Sequence, residues 1–192
     1  MPSALPAPGI LSRLRTETRP YHDAVERNPF NQALAAGTVT AAETAQFLAG
    51  LYGVLALHEA HLQQHADEFA AAWELPQRRR AHLILADLPA LGYTGTPPLC
   101  PAMPPLTTKP ALLGALYVLE GSTLGGQIIA RQLSNAGIPD SQYFQGYGAL
   151  TGLRWKTFCQ LLAESTTEEN EQEIIDSSIL VFTTLAAWLN RP

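Results

Sequence analysis

Apolar positions recur at three- and four-residue spacing along almost the whole chain, the period of helices that bury one face. In residues 10 to 27 the stripe is Leu11, Leu14, Thr18, Tyr21 and Val25. Pro20 interrupts it and predicts a kink, or a second helix start capped by Thr18 or Arg19. The segment GTVTAAETAQFLAGLYGVLALHEAHLQQHADEFAAAW predicts one long helix opened by Thr40, with Glu43 completing a capping box. Gly50 and Gly53 within it predict a bend or a close neighbour. A shorter helix is expected after Pro76, through RRRAHLILADL. The prolines of PALGYTGTPPLCPAMPPLTTKP then predict an extended surface loop. The next helix begins after Pro110 and runs to about Asn135, where Gly137 and Pro139 end it. LTGLRWKTFCQLLAE and STTEENEQEIIDSSILVFTTLAAWL predict two more, the second with an acidic first turn that suits the helix dipole. No segment alternates as a strand does, and no internal repeat or domain linker interrupts the pattern. The expected fold is all-α, a multi-helix bundle forming a single domain over residues 1–192, with residues 1–9 as a flexible N-terminus.

Composition narrows the function classes. Hydrophobic residues make up 46% of the 192 positions and charged residues 15%, as in a folded globular chain. A net charge of −5 gives no basic face for nucleic acid. The one basic run, Arg78-Arg79-Arg80, reads as a solvated helix face. Two distant cysteines, Cys100 and Cys159, give no disulfide framework and suit a reducing compartment. The N-terminus lacks the pattern of a signal peptide, and no long uninterrupted apolar run is present. A cytoplasmic chain with no membrane partner is therefore expected.

Three constellations carry candidate chemistry. HEAHLQQH places His58, His61 and His65 on one helical face, but it lacks the H-E-x-x-H spacing of a zinc protease. No Asp or Glu has a histidine three residues later, so a carboxylate-bridged di-iron site is also not encoded. A polar helix face is the favoured reading of this segment. Neither cysteine has a sequence neighbour that would activate it, and the Cys-Pro dipeptide at Cys100 is too short to signify.

The third constellation pairs LRTETRPYHDAVE with LEGSTLGGQ. On an unbroken helix Arg15 and His22 share an azimuth, about 10 Å apart along the axis. Glu26, one turn beyond His22, is spaced to orient the imidazole, so His22 is a candidate axial iron ligand with Arg15 reaching an acidic rim. Gly121, Gly125 and Gly126 leave a bare strip of helix backbone. Two readings of that strip stand: close helix packing through small residues, or a wall against which a flat ligand lies.

Taken together, LRTETRPYHDAVE, then LYVLEGSTLGGQIIARQL about a hundred residues later, then GYGALTGLRWKTFCQLL, resemble the bacterial haem oxygenases. The resemblance runs from about Leu11 to Leu189 and is nearest to the branch that makes biliverdin for bacterial phytochromes. It implies an all-α fold that holds haem, substrate and cofactor at once, between a proximal and a distal helix. His22 then matches the proximal iron ligand, the only metal contact expected, and Glu26 its supporting carboxylate. Gly121, Gly125 and Gly126 match the distal glycines over the haem. Arg15, Tyr117 and Lys156 match groups that hold the propionates. The implied products are biliverdin, carbon monoxide and ferrous iron, made with dioxygen and electrons from a ferredoxin or reductase. Two positions depart from the pattern. Ser122 stands where mammalian-type members carry an aspartate that orders distal water, and Pro20 lies within the proximal helix.

Overall fold

The structure, a computed structural model, describes residues 9–191, and every regular element within them is helical. The expected flexible stretch 1–9 falls outside these residues except for Gly9, which stands at the N-cap of the first helix. In chain order the helices are α1 (Ile10–Glu26), α2 (Pro29–Ala36), α3 (Ala41–Gln64), α4 (Leu75–Arg78), α5 (Ala81–Asp87), α6 (Lys109–Asn135), α7 (Thr151–Ser165) and α8 (Glu171–Leu189). α8 packs against both α1 and α6, and these three helices surround the larger of two hydrophobic clusters. α2, α3, α5 and residues 138–144 build the second cluster.

α1 runs unbroken through Pro20, so there is no second start at Thr18 or Arg19. The proline is exposed and costs the helix one backbone hydrogen bond, while Ile10, Leu14 and Thr18 on the opposite face are buried. α2 is a helix the periodicity does not predict. Asn28 caps it by accepting from the Asn31 amide at 2.9 Å, Pro29 occupies its first position, and Gly37 (φ +69°) ends it.

The capping box of α3 is present in both directions: the Glu43 amide donates to Thr40 Oγ1 at 3.2 Å, and the Thr40 amide donates to Glu43 Oε2 at 2.8 Å. The helix ends at Gln64 rather than continuing to Trp73. A helix from Thr40 to Trp73 would be roughly 50 Å long and would project beyond the bundle. Instead two 3₁₀ turns fold the chain back and bury Phe69 and Trp73 edge to face, ring centroids 5.5 Å apart. Gly50 and Gly53 serve close approach. Trp188 Nε1 donates to the Gly50 carbonyl at 2.8 Å, and the Cys100 amide donates to the Gly53 carbonyl at 3.1 Å.

That second contact draws the proline-rich segment into the fold. It is irregular, as expected, but not a surface loop throughout, because Cys100 and Leu106 are fully buried. The helix expected after Pro76 is broken into α4 and α5 at Arg79–Arg80. The arginine run is not a solvated face either: Arg78 and Arg80 are buried and only Arg79 is exposed.

α6 takes in Pro110 at its first turn rather than beginning after it, and it ends where the sequence predicts, with Gly137 (φ +72°) closing it. By length and composition α6 could cross a membrane, which the sequence reading did not foresee, but 56% of its apolar window is buried inside the bundle. Its apolar length serves packing on α8. Gly114 lets the two backbones meet: a Cβ there would lie 2.3 Å from the Ile174 carbonyl oxygen. Across that crossing Ser177 Oγ donates to the Ala111 carbonyl (2.7 Å) and Ser178 Oγ to the Gly114 carbonyl (3.0 Å).

Candidate functional site

α1 and α6 are far apart in sequence, yet they face each other across a cleft of about 340 Å³. This lies within the span of small-molecule sites, about 300–1,000 Å³. Its walls include His22 and Glu26 from α1, Tyr117, Gly121, Ser122, Gly125 and Gly126 from α6, and apolar groups from α7 and α8. Arg15 and Lys156 are exposed and are not among the lining residues.

On the α1 side, Leu14 and Thr18 anchor one face of the helix in the core, and His22 follows one turn later at the rim. Its side chain is 49% exposed and packs edge-on against Phe182 of α8, centroids 5.7 Å apart at 70°. Nδ1 lies 3.8 Å from both Asp23 Oδ1 and Glu26 Oε1, too far for a hydrogen bond with either. Asp23 Oδ1 already accepts from Arg19 Nε at 2.8 Å. His22, Asp23 and Glu26 are the one set of three metal-ligating side chains that converges among the described residues. Both carboxylates approach the same ring nitrogen, which leaves Nε2 unengaged by either.

On the α6 side the three glycines have three different surroundings. A Cβ on Gly121 would touch the Trp155 indole at 3.6 Å, an ordinary contact. A Cβ on Gly125 would meet nothing within 4 Å, so this position is open to the cleft. A Cβ on Gly126 would lie 2.5 Å from the Phe144 carbonyl oxygen, which accounts for that glycine by packing. Asp87 holds this part of the chain in place: it accepts from Ser141 Oγ (2.7 Å) and from the amides of Gln142 (2.9 Å) and Tyr143 (3.0 Å). Both readings of the glycine strip therefore apply, at different residues.

Ser122 lines the cleft, but its hydroxyl donates to the Leu119 carbonyl of its own helix at 2.7 Å. Tyr117 is half-buried, with its ring 5.8 Å from that of Trp155. Burial raises its phenol above the ordinary range, opposed by the positive charge of Arg15.

The sequence reading missed a polar layer beneath the distal segment. Glu120, 2% exposed, accepts from Arg78 Nη1 at 2.5 Å and from the Tyr147 hydroxyl at 2.7 Å. Arg80 Nη2 donates to the Leu119 carbonyl at 2.7 Å, and its guanidinium lies over the rings of Tyr143 and Tyr147. One sign was legible: Glu120 is a lone carboxylate inside the apolar run ALLGALYVLEG, where only a buried partner could hold it.

HEAHLQQH is not a solvated polar face. His58 is 2% exposed, and burial drives its imidazole down to about 3, so it is neutral. His61 is half-buried, and His65 Nδ1 sits 2.6 Å from Glu68 Oε1. Both cysteines are free, and burial raises both thiols above their ordinary value, which does not favour a nucleophilic thiolate.

The residues present suit a flat, largely apolar ligand with a metal at its centre. A half-exposed imidazole stands on one wall, a helix position bare of side chain on the other, and apolar surface lies between. Residues 9–97 match the family described as Heme oxygenase. Over 103 residues, 53% of this chain, the sequence is 37% identical to a heme oxygenase of Xanthomonas campestris pv. campestris; the match spans 59% of that relative. The fold is similar to that of heme oxygenase from Leptospira interrogans, with a TM-score of 0.79 and 20% identity over 95% of this chain and 99% of that one. It is also similar to Synechocystis heme oxygenase-1 in complex with heme, with a TM-score of 0.77 and 19% identity over 95% and 91% of the two chains. For the NO- and CO-bound heme oxygenase of Neisseria meningitidis the values are 0.78 and 22%, over 95% and 91%. At these identities the likeness is one of fold. The N-terminal part of the chain is thus similar in sequence to haem oxygenases, of whose curated relative it spans less than two thirds, and its fold is the one those solved haem oxygenases share.

Proposed function

We propose that this chain binds haem in the cleft between α1 and α6 and opens its macrocycle to biliverdin, carbon monoxide and ferrous iron. The observation that carries the reading is the pairing of His22 on one wall with the open backbone of Gly125 on the other. Bound haem supplies the iron at which dioxygen is reduced, and it is also the substrate.

The chain's residues divide the remaining work. His22 offers an imidazole nitrogen, and the carboxylates of Glu26 and Asp23 near Nδ1 favour keeping a ring proton on that side. Gly125 leaves room for the macrocycle and for a small ligand above it. Gly121, backed by Trp155, extends that surface, and Gly126 seats the helix on Phe144. Arg15, Tyr117 and Lys156 are the groups available to the propionates, the two cations from the exposed rim. Ser122 has committed its proton to Leu119, so toward the cleft it accepts rather than donates. Protons therefore reach the site from solvent or from water that Ser122 orients.

External electrons, from a ferredoxin or a reductase, complete the reaction, and a bacterial phytochrome is the acceptor proposed for the biliverdin. A cytoplasmic setting fits both partners. The test is a hemin titration followed by turnover with reductant and oxygen. A Soret band that saturates at one hemin per chain, loses its axial-ligand signature in His22→Ala, and gives way to a bilin spectrum with release of carbon monoxide is the expected result. A stable complex that yields no bilin would make the protein a haem carrier or sensor. Failure to develop a Soret band would remove haem altogether.

A further inference from the structure

Arg80 is a buried cation without an anionic partner. It is 2% exposed, and among the described residues no carboxylate lies within 4 Å of its guanidinium. The nearby carboxylates are otherwise engaged. Glu120 binds Arg78 and Tyr147. Glu59 Oε1 accepts from the amides of Arg80 (2.6 Å) and Ala81 (2.9 Å), and its Oε2 faces Arg79 at 3.7 Å. Arginine does not shed its proton on burial, so the desolvation cost of this charge has to be offset by something else. The rings of Tyr143 and Tyr147 and the Leu119 carbonyl offset it in part.

Next to Arg80 lies a second cavity of about 110 Å³, bounded by α3, the α4–α5 junction and α6. Its walls bring together His58, Arg78 and Arg80, all more than nine-tenths buried, with the carboxylates of Glu59 and Glu120, whose charges Arg79 and Arg78 balance. Each of the first three carries polar atoms with no protein partner: both ring nitrogens of His58, Nη2 of Arg78 and Nε of Arg80. Guanidinium nitrogens only donate, and a neutral imidazole donates through one nitrogen. Three side chains thus offer donors to one small space beside one unmatched positive charge.

We propose that this cavity binds a small monovalent anion, held by Arg80 Nε, Arg78 Nη2 and one ring nitrogen of His58. The charge of the ligand follows from the single unmatched guanidinium, and its size from a volume a third that of the haem cleft. Arg80 also lines the haem cleft and holds the Leu119 carbonyl, so the anion braces the part of α6 that leads into Gly121. The site does not require haem, and neither does its test.

Two measurements on the full chain without haem decide it. In crystals soaked in sodium bromide, an anomalous peak is expected between His58, Arg78 and Arg80. In solution, chloride should raise the thermal midpoint saturably against gluconate at constant ionic strength, since a ligand of the native state stabilises by mass action. Arg80→Gln should raise the half-saturating chloride by about tenfold or more (~1.4 kcal/mol), and Arg80→Lys should recover part of the response. Should Arg80→Gln fail to fold, the bromide peak and the wild-type chloride curve still decide. No bromide peak in this cavity, or a chloride response equal to that of gluconate, would mean that water alone satisfies these donors and would overturn the proposal.

Discussion

Gly125 and Gly126 are sequence neighbours that lack a side chain for opposite reasons. Gly126→Ala would push a methyl into the Phe144 carbonyl, whose position Asp87 fixes, and should destabilise the fold by about 1–3 kcal/mol. Gly125→Ala meets no atom of the protein, so it should stabilise the apoprotein by about 0.5–1 kcal/mol through helix propensity. The same methyl should weaken hemin binding, because it enters the space assigned to the ligand. Urea unfolding and hemin titration of the two variants check the pair; equal stability changes would refute the distinction. His58 makes a separate prediction. Its imidazole stays neutral in the fold down to about pH 3, whereas in the unfolded chain it takes a proton near pH 6.5. Between those values the unfolded state binds more protons, so stability falls as pH drops, by about 1.4 kcal/mol per pH unit from this residue. Urea unfolding between pH 4 and 7 should show a shallower slope in His58→Gln than in wild type, whatever the variant's absolute stability. Parallel slopes would mean that the fold protonates His58 over that range.

Among the elements, α1 tolerates a proline that its own backbone disfavours. Packing on α8 holds the helix on both sides of Pro20, and the ring faces solvent. Pro20→Ala restores a hydrogen-bond donor and should stabilise the protein by up to about 3 kcal/mol, read as a higher denaturation midpoint with hemin affinity unchanged. A lower midpoint would show that the proline is part of the native geometry of α1. Element ends were legible where a local capping signal flanked a long periodic stretch, as at Thr40 and Gly137. α2 carried such signals, Asn28, Pro29 and Gly37, but its eight residues are too short for periodicity to reveal. The end of α3 was not legible. AHLQQHADEFAAAW keeps helical composition to Trp73, and what stops the helix is the burial of Phe69 and Trp73 against α7 and α8 residues of the same cluster.

For the whole molecule the polar layer under α6 sets the position of the distal wall. Arg78 and Glu120 form a nearly water-free pair, with side chains 1% and 3% exposed. Arg78→Leu should cost about 3–5 kcal/mol, because it strands a buried carboxylate that retains only Tyr147. The double variant Arg78→Leu/Glu120→Leu should lose less than the two single changes combined, and a double-mutant cycle in urea measures the coupling. Additive losses would make the pair incidental to the fold. The arginine run shows why this layer escaped the sequence reading. Three consecutive arginines ordinarily project into solvent, and nothing local tells which of them meets a carboxylate contributed from about forty residues away.

By itself the sequence determined the all-helical class, the N-terminal cap of α3, the C-terminal stop of α6, the acidic start of α8, and the two segments whose residues resemble a haem site. Those features depend on period, propensity and local hydrogen bonds, which act within one or two turns. Only the tertiary structure decided where α3 stops, which arginines are buried, and that HEAHLQQH places a neutral histidine in the interior. It also decided that Gly126 belongs to packing and Gly125 to the cleft, and that the proton of Ser122 is spent on Leu119. Each of these depends on which distant backbone or charge lies within about 4 Å, and that contact exists only after the helices have packed.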